Sequence, residues 1–283
     1  MTGGIVAAQV SCIVPTHGRD HLLQEAIASV AAQLSPPCEL LVADDLGSAG
    51  TRSSVEAWAG RVPFRVRYVD SSGSGWRSAG ASRNAGAALA TGEFVAFLDD
   101  DDTWEPDFLT SVVGSLGADG ADFAVGWTQA DAGSRAYHME RMRPGLSVAE
   151  VVARNPGFVG SNFVMRRDAF ARVGGFDPAL TVSNDQDLLV RALQGGLRYA
   201  VVPRVLVHNR IHDGAQLTDK TERRVRGIEV YMSKHDALLS GPDRRYIRSQ
   251  IASIQRVIGP TRSVRWRSTA SLACYRLVEA VRL

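Results

Sequence analysis

Residues 93–102 read EFVAFLDDDD, a short apolar segment followed at once by four aspartates. An apolar run that contains aromatic and β-branched residues predicts a buried strand. The carboxylates therefore follow directly on the end of a strand. Because adjacent carboxylates repel one another, a divalent cation would stabilise them, and hard oxygen ligands suit Mg²⁺ or Mn²⁺. A solvated acidic loop before a helix that begins near Pro106 is the alternative, and the residues alone leave both open.

The first 127 residues repeat the same alternation of strand and helix. Short apolar runs predict strands at residues 10–14, 40–43, 64–69, 93–98 and 123–127. Helical spacing predicts helices at residues 22–30, 51–59 and 80–90, and a fourth from Pro106. This alternation predicts an α/β protein with a mostly parallel sheet and helices on both of its faces.

The second half of the chain is less regular. Its apolar patterns predict strands at residues 158–165 and 199–202, a short helix at 168–173 and a longer one at 185–194. After residue 214 the chain becomes helical and basic, with nine arginines between residues 244 and 283. We therefore divide the chain into residues 1–217, with halves 1–127 and 128–217, and a basic helical C-terminal extension at residues 218–283.

Composition narrows the class of protein. The 283 residues carry a formal net charge of +2, which creates no strong field for nucleic acid, and we expect no nucleic-acid partner. Three cysteines lie far apart, which argues against a disulfide framework and favours the reducing cytoplasm. The sequence has no secretory leader pattern and no apolar run of about eighteen residues. We expect a cytoplasmic protein whose contact with a membrane, where there is one, is peripheral at the inner face.

Three polar segments follow directly on predicted strands. They are residues 15–17, Asp44 with Asp45, and residues 99–102. Ligands of parallel α/β sheets bind beyond the carboxyl ends of the strands. We therefore expect the three segments to converge on one edge of the sheet, where a carboxylate such as Asp45 can accept hydrogen bonds from a base or a ribose. A simple turn is the alternative for the Asp44–Asp45 pair.

Two arginines are candidates for contact with phosphate. Arg83 lies within GASRNAG, residues 80–86, whose small side chains let a helix approach a sheet or a ligand closely, and Arg77 lies just before it. The sequence has neither Gly-x-Gly-x-x-Gly after the first strand nor a Gly-Lys-Ser/Thr phosphate loop. Dinucleotide binding and P-loop chemistry are therefore disfavoured.

A carboxylate and two histidines are further candidates in the second half. Asp185 stands at the start of a predicted helix, where it is either an ordinary helix cap or a general base beside an acceptor pocket. His208 and His212 lie four residues apart with Arg210 between them. This arrangement favours contact with a metal or a phosphate more than an isolated histidine does.

Taken in order, these motifs resemble those of the inverting family 2 glycosyltransferases. The segments that carry the resemblance are SCIVPT (11–16), ELLVADD (39–45), ASRNAG (81–86), GEFVAFLDDDD (92–102), PDFL (106–109), GGFD (174–177), NDQDL (184–188) and RIH (210–212). They cover residues 9–217, and the shared order is specific although each motif alone is weak. The resemblance implies a Rossmann-like nucleotide-diphospho-sugar transferase fold, known as GT-A, with the helical extension lying outside it.

The resemblance also implies how a nucleoside diphosphate sugar, a UDP-sugar, would be held. Nucleoside contacts would come from Pro15, His17 and Asp45, with His17 where the family often has an aromatic residue. Arg77 or Arg83 would approach the base or the diphosphate.

The aspartate run matches the family's Asp-x-Asp motif. By this resemblance Asp99 and Asp101 are the candidates of the metal and diphosphate site, with Asp101 the main ligand of Mg²⁺ or Mn²⁺. Asp100 would lie near the ribose, and His212 would complete the site. Asp102 is interpreted as structural.

Asp185 matches the family's general base, which takes a proton from an acceptor hydroxyl in a single inverting displacement. Asn184 departs from the family, which usually has glutamate there. The sequence does not identify the acceptor, for which a glycan, a lipid-linked glycan and a small natural product all stay open. Two alternatives stay open: a nucleotidyltransferase, weakened by the single arginine of loop 15–20, and a non-catalytic sugar-nucleotide-binding partner protein. The extension would pack on the domain or in a homodimer, or would contact an anionic membrane or a phosphorylated acceptor.

Overall fold

The computed structural model describes residues 9–76, 78–132, 135–211 and 219–280. Within these ranges the strands are β1 (Val10–Thr16), β2 (Glu39–Asp44), β3 (Arg65–Asp70), β4 (Phe94–Phe97), β5 (Asp102–Trp104), β6 (Phe123–Ala132), β7 (Arg135–His138), β8 (Phe163–Arg166) and β9 (Tyr199–Arg210). The helices are α1 (Asp20–Ala31), α2 (Ala49–Glu56), α3 (Ala79–Ala88), α4 (Phe108–Asp119), α5 (Val148–Val151), α6 (Arg167–Arg172), α7 (Asn184–Gln194), α8 (Glu222–Lys234), α9 (Gly241–Ile258) and α10 (Arg262–Ala280).

The strands form one sheet in the order β3-β2-β1-β4-β8-β6-β9-β5, with β7 paired to β6. Strands β1 to β4 pair in parallel, while β8 is antiparallel to both β4 and β6. Strand β6 therefore runs in the same direction as β4, and β9 pairs in parallel with β6. The prediction of a mostly parallel α/β sheet is confirmed.

Helices cover both faces of this sheet, as the continuous apolar character of its central strands requires. Strand β1 is buried along its whole length. Ile13 packs into one hydrophobic core with Leu41, while its neighbours Cys12 and Val14 pack into a second core with Leu40. Successive side chains of a strand point to opposite faces, so one strand contributes to both cores.

Small residues bring α3 close to the sheet. A methyl group added at Gly86 would lie 2.5 Å from Cγ2 of Ile13, so only glycine allows this approach. The close packing fixes the position of Arg83, one turn earlier on the same helix. The predicted role of the small-residue segment as a tightly packed helix is confirmed.

The largest differences from the sequence prediction lie in the second half. Strand β9 continues to Arg210 rather than ending at residue 202, because Pro203 and Arg204 are skipped in its pairing with β6. Proline is tolerated at such a bulge. The bulge interrupts the apolar periodicity, so the sequence pattern did not predict the second part of the strand. The predicted strand at 158–165 is confined to β8, because the Asn162 side chain donates to the carbonyls of Gly126 and Gly157 and holds the preceding residues in a turn.

The aspartate run also leads into a strand that the sequence did not predict. Asp102 begins β5, which pairs antiparallel with β9, and Asp102 lies opposite Asn209. The helix expected from Pro106 begins at Phe108.

The C-terminal extension is helical, as predicted. Its first helix, α8, is joined to α7 by a buried ionic group: Nζ of Lys234 and Nε2 of His235 lie 2.7 Å and 2.9 Å from Oδ1 of Asp187. Tyr231 donates to the carbonyl of Val152 at 2.8 Å. None of the helices in the described ranges combines the length and the apolar character needed to cross a membrane.

Candidate active site

The ends of β1, β2 and β4 bring the three predicted polar segments together. Thr16 and Asp44 are partners in the parallel register of β1 and β2. The Thr16 hydroxyl donates to Oδ2 of Asp100 at 2.7 Å, and Nδ1 of His17 lies 2.5 Å from Oδ1 of Asp45. The expected convergence on one edge of the sheet is therefore present.

The two aspartates after β2 have different tasks. Asp44 is fully buried and accepts the backbone N–H groups of Leu46 and Ser48 at 2.9 Å and 2.7 Å, so it shapes the turn. Asp45 faces His17 across the site. The His17 side chain is 60% exposed, which leaves its ring accessible at the edge of the sheet. Pro15 is buried inside β1 beside its partner Ala43.

Asp100 is buried and paired with an arginine that the sequence analysis did not single out. Its carboxylate lies 2.5 Å from a terminal nitrogen of Arg19, and the other terminal nitrogen of Arg19 lies 2.6 Å from Oδ2 of Asp101. Burial raises the pKa of Asp100 to about 6, although Arg19 and Thr16 oppose the shift. Arg19 therefore supplies part of the positive charge that the aspartate run needs.

Arg83 supplies another part from the opposite side. Its buried guanidinium donates to Oδ1 of Asp99 and lies 3.4 Å from Oδ1 of Asn184, with Phe176 5.0 Å beneath it. A methyl group added at Gly160 would lie 2.4 Å from this guanidinium, so the backbone there closes tightly around it. One cationic group thus links α3, the aspartate run and the start of α7.

Asp99, Asp101 and Asp102 form a cluster of carboxylates. One oxygen of each lies within 4.8 Å of the others. Asp102 accepts hydrogen bonds from Ser161 and Asn209, both at 2.6 Å. Burial, reinforced by Asp99 and Asp101, raises the pKa of Asp102 well above its ordinary value. Three carboxylates this close together fit a divalent cation bound through oxygen. Asp102, interpreted from the sequence as structural, is hydrogen-bonded and also belongs to the cluster.

Asp185 lies at the start of α7, beyond Arg83. Its Oδ1 accepts the backbone N–H of Gln186 at 2.7 Å. Burial raises the pKa of Asp185 to about 6, and the negative charge of Asp99 adds to the shift, while the Gln186 N–H and Arg83 oppose it. A carboxylate with a pKa near 6 is ionised at neutral pH and remains basic enough to accept a proton.

The backbone just before Asp185 is strained. Ser183 has φ of 57°, and within the described ranges it is the only residue other than glycine with a positive φ. The left-handed conformation costs a residue with a side chain about 1 kcal/mol. This conformation starts α7 so that Asn184 and Asp185 face Arg83 and the aspartate run.

Asn184 stands where the family usually has glutamate. The residue is buried, and its Nδ2 has no hydrogen-bond partner among the described residues. Its amide oxygen faces Arg83 without the negative charge that a glutamate would bring. Arg83 is therefore paired with Asp99 alone among the carboxylates that face it.

Two of the candidates fall outside the described residues, namely Arg77 and His212. His208 is described, and both of its ring nitrogens lie 2.7 Å from carboxylates, those of Asp131 and Glu105. The pKa of His208 is raised, because these hydrogen bonds outweigh the effect of burial. His208 thus belongs to an ionic group with Glu105 and Asp131, and the metal or phosphate contact that its spacing favoured stays a prediction.

The sequence analysis missed Arg19, Ser161 and Asn209. Arg19 was visible as the single arginine of the loop after β1, directly before α1. Ser161 and Asn209 carry no comparable signal, because they reach Asp102 only through the pairing of β5 with β9 and the turn before β8.

Comparison with known proteins adds family information to this geometry. The model of the family described as Glycosyl transferase family 2 matches residues 11–174, and that of Glycosyl transferase family group 2 matches residues 94–275. The succinoglycan biosynthesis protein ExoO of Rhizobium meliloti is 31% identical over 222 residues, which cover 73% of this chain and 62% of ExoO. The chain spans less than two thirds of the length of the first curated relatives that it matches.

Solved structures share the fold. TarS 1–349 of S. aureus, in complex with UDP-GlcNAc, has a TM-score of 0.61 at 18% identity over 94% of this chain and 71% of that chain. The mannosyltransferase PcManGT of Pyrobaculum calidifontis, in complex with GDP-Man and Mn²⁺, has a TM-score of 0.62 at 19% identity over 96% of this chain and 82% of that chain. These likenesses of fold cover nearly the whole chain. Because the first family model matches more than half of the chain, the chain belongs to glycosyl transferase family 2.

Proposed function

We propose that this chain transfers a sugar from a nucleoside diphosphate sugar to an acceptor hydroxyl, with inversion at the anomeric carbon. The observation that carries the proposal is the arrangement of the carboxylate cluster of Asp99, Asp101 and Asp102 and of Asp185 on either side of Arg83. A cation-binding cluster suits a diphosphate leaving group, and a carboxylate with a raised pKa suits proton transfer.

The donor is proposed to lie along the ends of β1 and β2. The exposed ring of His17, held by Asp45, is suited to cover the base. Asp100, which accepts a hydrogen bond from Thr16 at the same edge, is proposed to lie near the ribose. We propose a UDP-sugar as donor, in line with the UDP-GlcNAc complex of TarS. Because the PcManGT structure contains GDP-Man, GDP-mannose is the alternative donor to compare with a UDP-sugar.

Asp99 and Asp101 are proposed to hold Mg²⁺ or Mn²⁺, with Asp102 behind them and His212 as a further ligand. When bound, the cation neutralises charge that develops on the departing diphosphate. Arg83 lies at the same edge, and Arg77 precedes its helix, so both are proposed to face the diphosphate or the base. The Asn184 amide keeps Arg83 from forming a second ion pair, which leaves more of its charge for the donor.

Asp185 is proposed as the general base. It accepts the proton of the acceptor hydroxyl while that oxygen bonds to the anomeric carbon. The bond between the anomeric carbon and the diphosphate oxygen breaks on the opposite face, so one displacement inverts the configuration. No covalent sugar–enzyme intermediate is required.

The base assignment is tested with Asp185→Asn, which keeps the shape of the side chain and removes its basicity. We expect the turnover of a UDP-sugar, measured as UDP release, to fall about 10³-fold. Donor affinity, measured by calorimetry, should stay within about twofold because Asp185 does not contact the donor in this scheme. Turnover like that of the unaltered chain would contradict the role of Asp185. Tight donor binding without turnover by the unaltered chain, on every acceptor tried, would favour the non-catalytic binding protein.

A further inference from the structure

The corner where α9 meets α10 presents exposed charge and exposed apolar surface side by side. Trp266 is 73% exposed and Val257 is 52% exposed. Four arginines within residues 256–267, the same stretch of sequence, are also exposed. We call this surface the basic corner and define it by Arg256, Val257, Arg262, Arg265, Trp266 and Arg267.

The basic corner lies in a stretch of sequence without acidic residues. The sequence from residue 244 to residue 275 contains seven arginines and no aspartate or glutamate. Within the described part of the chain, none of the four corner arginines forms an ion pair. Exposed arginines elsewhere do form them, as Arg172 does with Asp122 at 2.9 Å and Arg204 with Asp107 at 2.7 Å. The corner therefore offers its positive charge to something outside the fold.

Charge and tryptophan together indicate the chemistry of that partner. Clustered arginines attract the headgroups of anionic lipids, and tryptophan favours the boundary between headgroups and acyl chains. A second copy of the chain would place the same arginines against each other, which is repulsive. We propose that the basic corner docks on the surface of an anionic phospholipid bilayer, with Trp266 entering the interface.

Docking at this corner would orient the candidate active site. Helix α10 packs on α9, α9 packs on α8, and α8 is joined to α7 through Asp187. Helix α7 carries Asp185 at its start. A bilayer bound at the corner is thus connected through packed helices to the acceptor side of the site. The docking proposal itself does not depend on the proposed function, because it concerns binding without a donor.

The proposal is tested by co-sedimentation of the full chain with lipid vesicles in the absence of donor and metal. We expect binding to vesicles in which about a third of the phosphatidylcholine is replaced by phosphatidylglycerol, and little binding to phosphatidylcholine alone. Added salt should weaken the binding, since it screens exposed charges beyond about 10 Å at 0.1 M.

Variants that each remove one positive charge distinguish the effect of the basic corner on vesicle binding from the effect of the net charge of the chain. Arg262→Gln should weaken binding to the anionic vesicles by about fivefold. Arg61→Gln removes one exposed arginine far along the chain and should leave binding unchanged. Trp266→Ala should weaken binding at all salt concentrations. Unchanged circular dichroism and unfolding temperature would show that each variant is folded.

Several results would overturn the proposal. They are equal binding to neutral and anionic vesicles, no binding to either, or equal losses for Arg262→Gln and Arg61→Gln. Sedimentation velocity provides the test of a second copy. A dimer that Trp266→Ala dissociates, in a chain that ignores vesicles, would assign the corner to self-association instead.

Discussion

Two acidic sites in this chain have different surroundings. At Asp187 a single, fully buried carboxylate has side-chain nitrogens of Arg191, Lys234 and His235 within 2.9 Å. Although burial works against the charge, these hydrogen bonds lower the pKa of Asp187 to about 2. The partners of Asp187 therefore stabilise its charged form, and Lys234 and His235 join α7 to the C-terminal extension.

The aspartate run is arranged differently. Among the described residues, Arg83 pairs with Asp99 and Arg19 pairs with Asp100 and Asp101, while Asp102 accepts hydrogen bonds from Ser161 and Asn209. The pKa values of Asp100 and Asp102 are raised, mainly by burial. The number of acidic residues alone therefore does not identify a site. The group whose carboxylate oxygens lie within 4.8 Å of one another is the one suited to bind a divalent cation.

Asp101→Ala should have the largest effect, because it removes the proposed main metal ligand from the aspartate run. We expect the rate of UDP release from a UDP-sugar to fall about 10⁴-fold, which corresponds to several kcal/mol of transition-state stabilisation. Initial rates over a range of Mn²⁺ concentrations provide the measurement. Asp168→Ala removes an exposed aspartate of α6 as a matched control and should change the rate less than twofold. A variant at residue 101 that retains a tenth of the rate would contradict the assignment.

Asp187→Asn should act on stability. The change leaves Arg191, Lys234 and His235 around a neutral amide, and breaking a buried ionic group costs about 3 kcal/mol. For a chain of this size the unfolding temperature should fall by about 6–10 °C, measured by circular dichroism. Asp177→Asn, which removes a partly exposed partner of Lys234 alone, should cost less than half as much. Equal shifts for the two variants would contradict the special role of Asp187.

Acid should narrow the difference between Asp187→Asn and the unaltered chain. The folded pKa of Asp187 is about 2 and lies below the unfolded value of about 3.9. Its stabilisation, roughly 2.5 kcal/mol, is thus fully present above the unfolded pKa and is lost as the pH falls towards the folded one. Denaturant titrations should show a constant difference in unfolding free energy from pH 7 to 5 that shrinks below about pH 4. A constant difference down to pH 3 would count against the lowered pKa.

The pH dependence of turnover should show the smallest effect. The pKa of Asp185 is raised to about 6, so the base is protonated and inactive below that pH. The rate at saturating donor should rise about tenfold per pH unit up to about pH 6 and then level off. A rate that is flat between pH 5 and 7 would remove the case for Asp185.

The sequence predicted the first half of the fold and the convergence of its polar segments. An apolar run such as residues 93–98 is readable because both of its faces are buried. Because parallel strands end at the same edge of a sheet, the sequence order alone predicts that His17, Asp45 and Asp99 lie at one edge. The small residues of segment 80–86 predict a helix that packs close to the sheet, and this packing positions Arg83 at the site.

The remainder depends on contacts between distant segments. Asp187 looked like an ordinary residue in the first turn of a helix, and its partner His235 lies 48 positions later in the chain. Asn209 reaches Asp102 only because β9 continues past a bulge that breaks its apolar pattern. Apolar periodicity predicts which face of a helix or strand a residue occupies. It does not predict which charged residue from a distant part of the sequence will contact that residue.

The comparison of the two carboxylate groups is tested most directly by Mn²⁺ binding in the presence of UDP, followed by electron paramagnetic resonance. We expect one Mn²⁺ site in the unaltered chain, the same site in Asp187→Asn, and loss of the site in Asp101→Asn. Mn²⁺ binding that survives Asp101→Asn, or no Mn²⁺ binding by the unaltered chain with UDP, would contradict the claim that the aspartate run is the metal site.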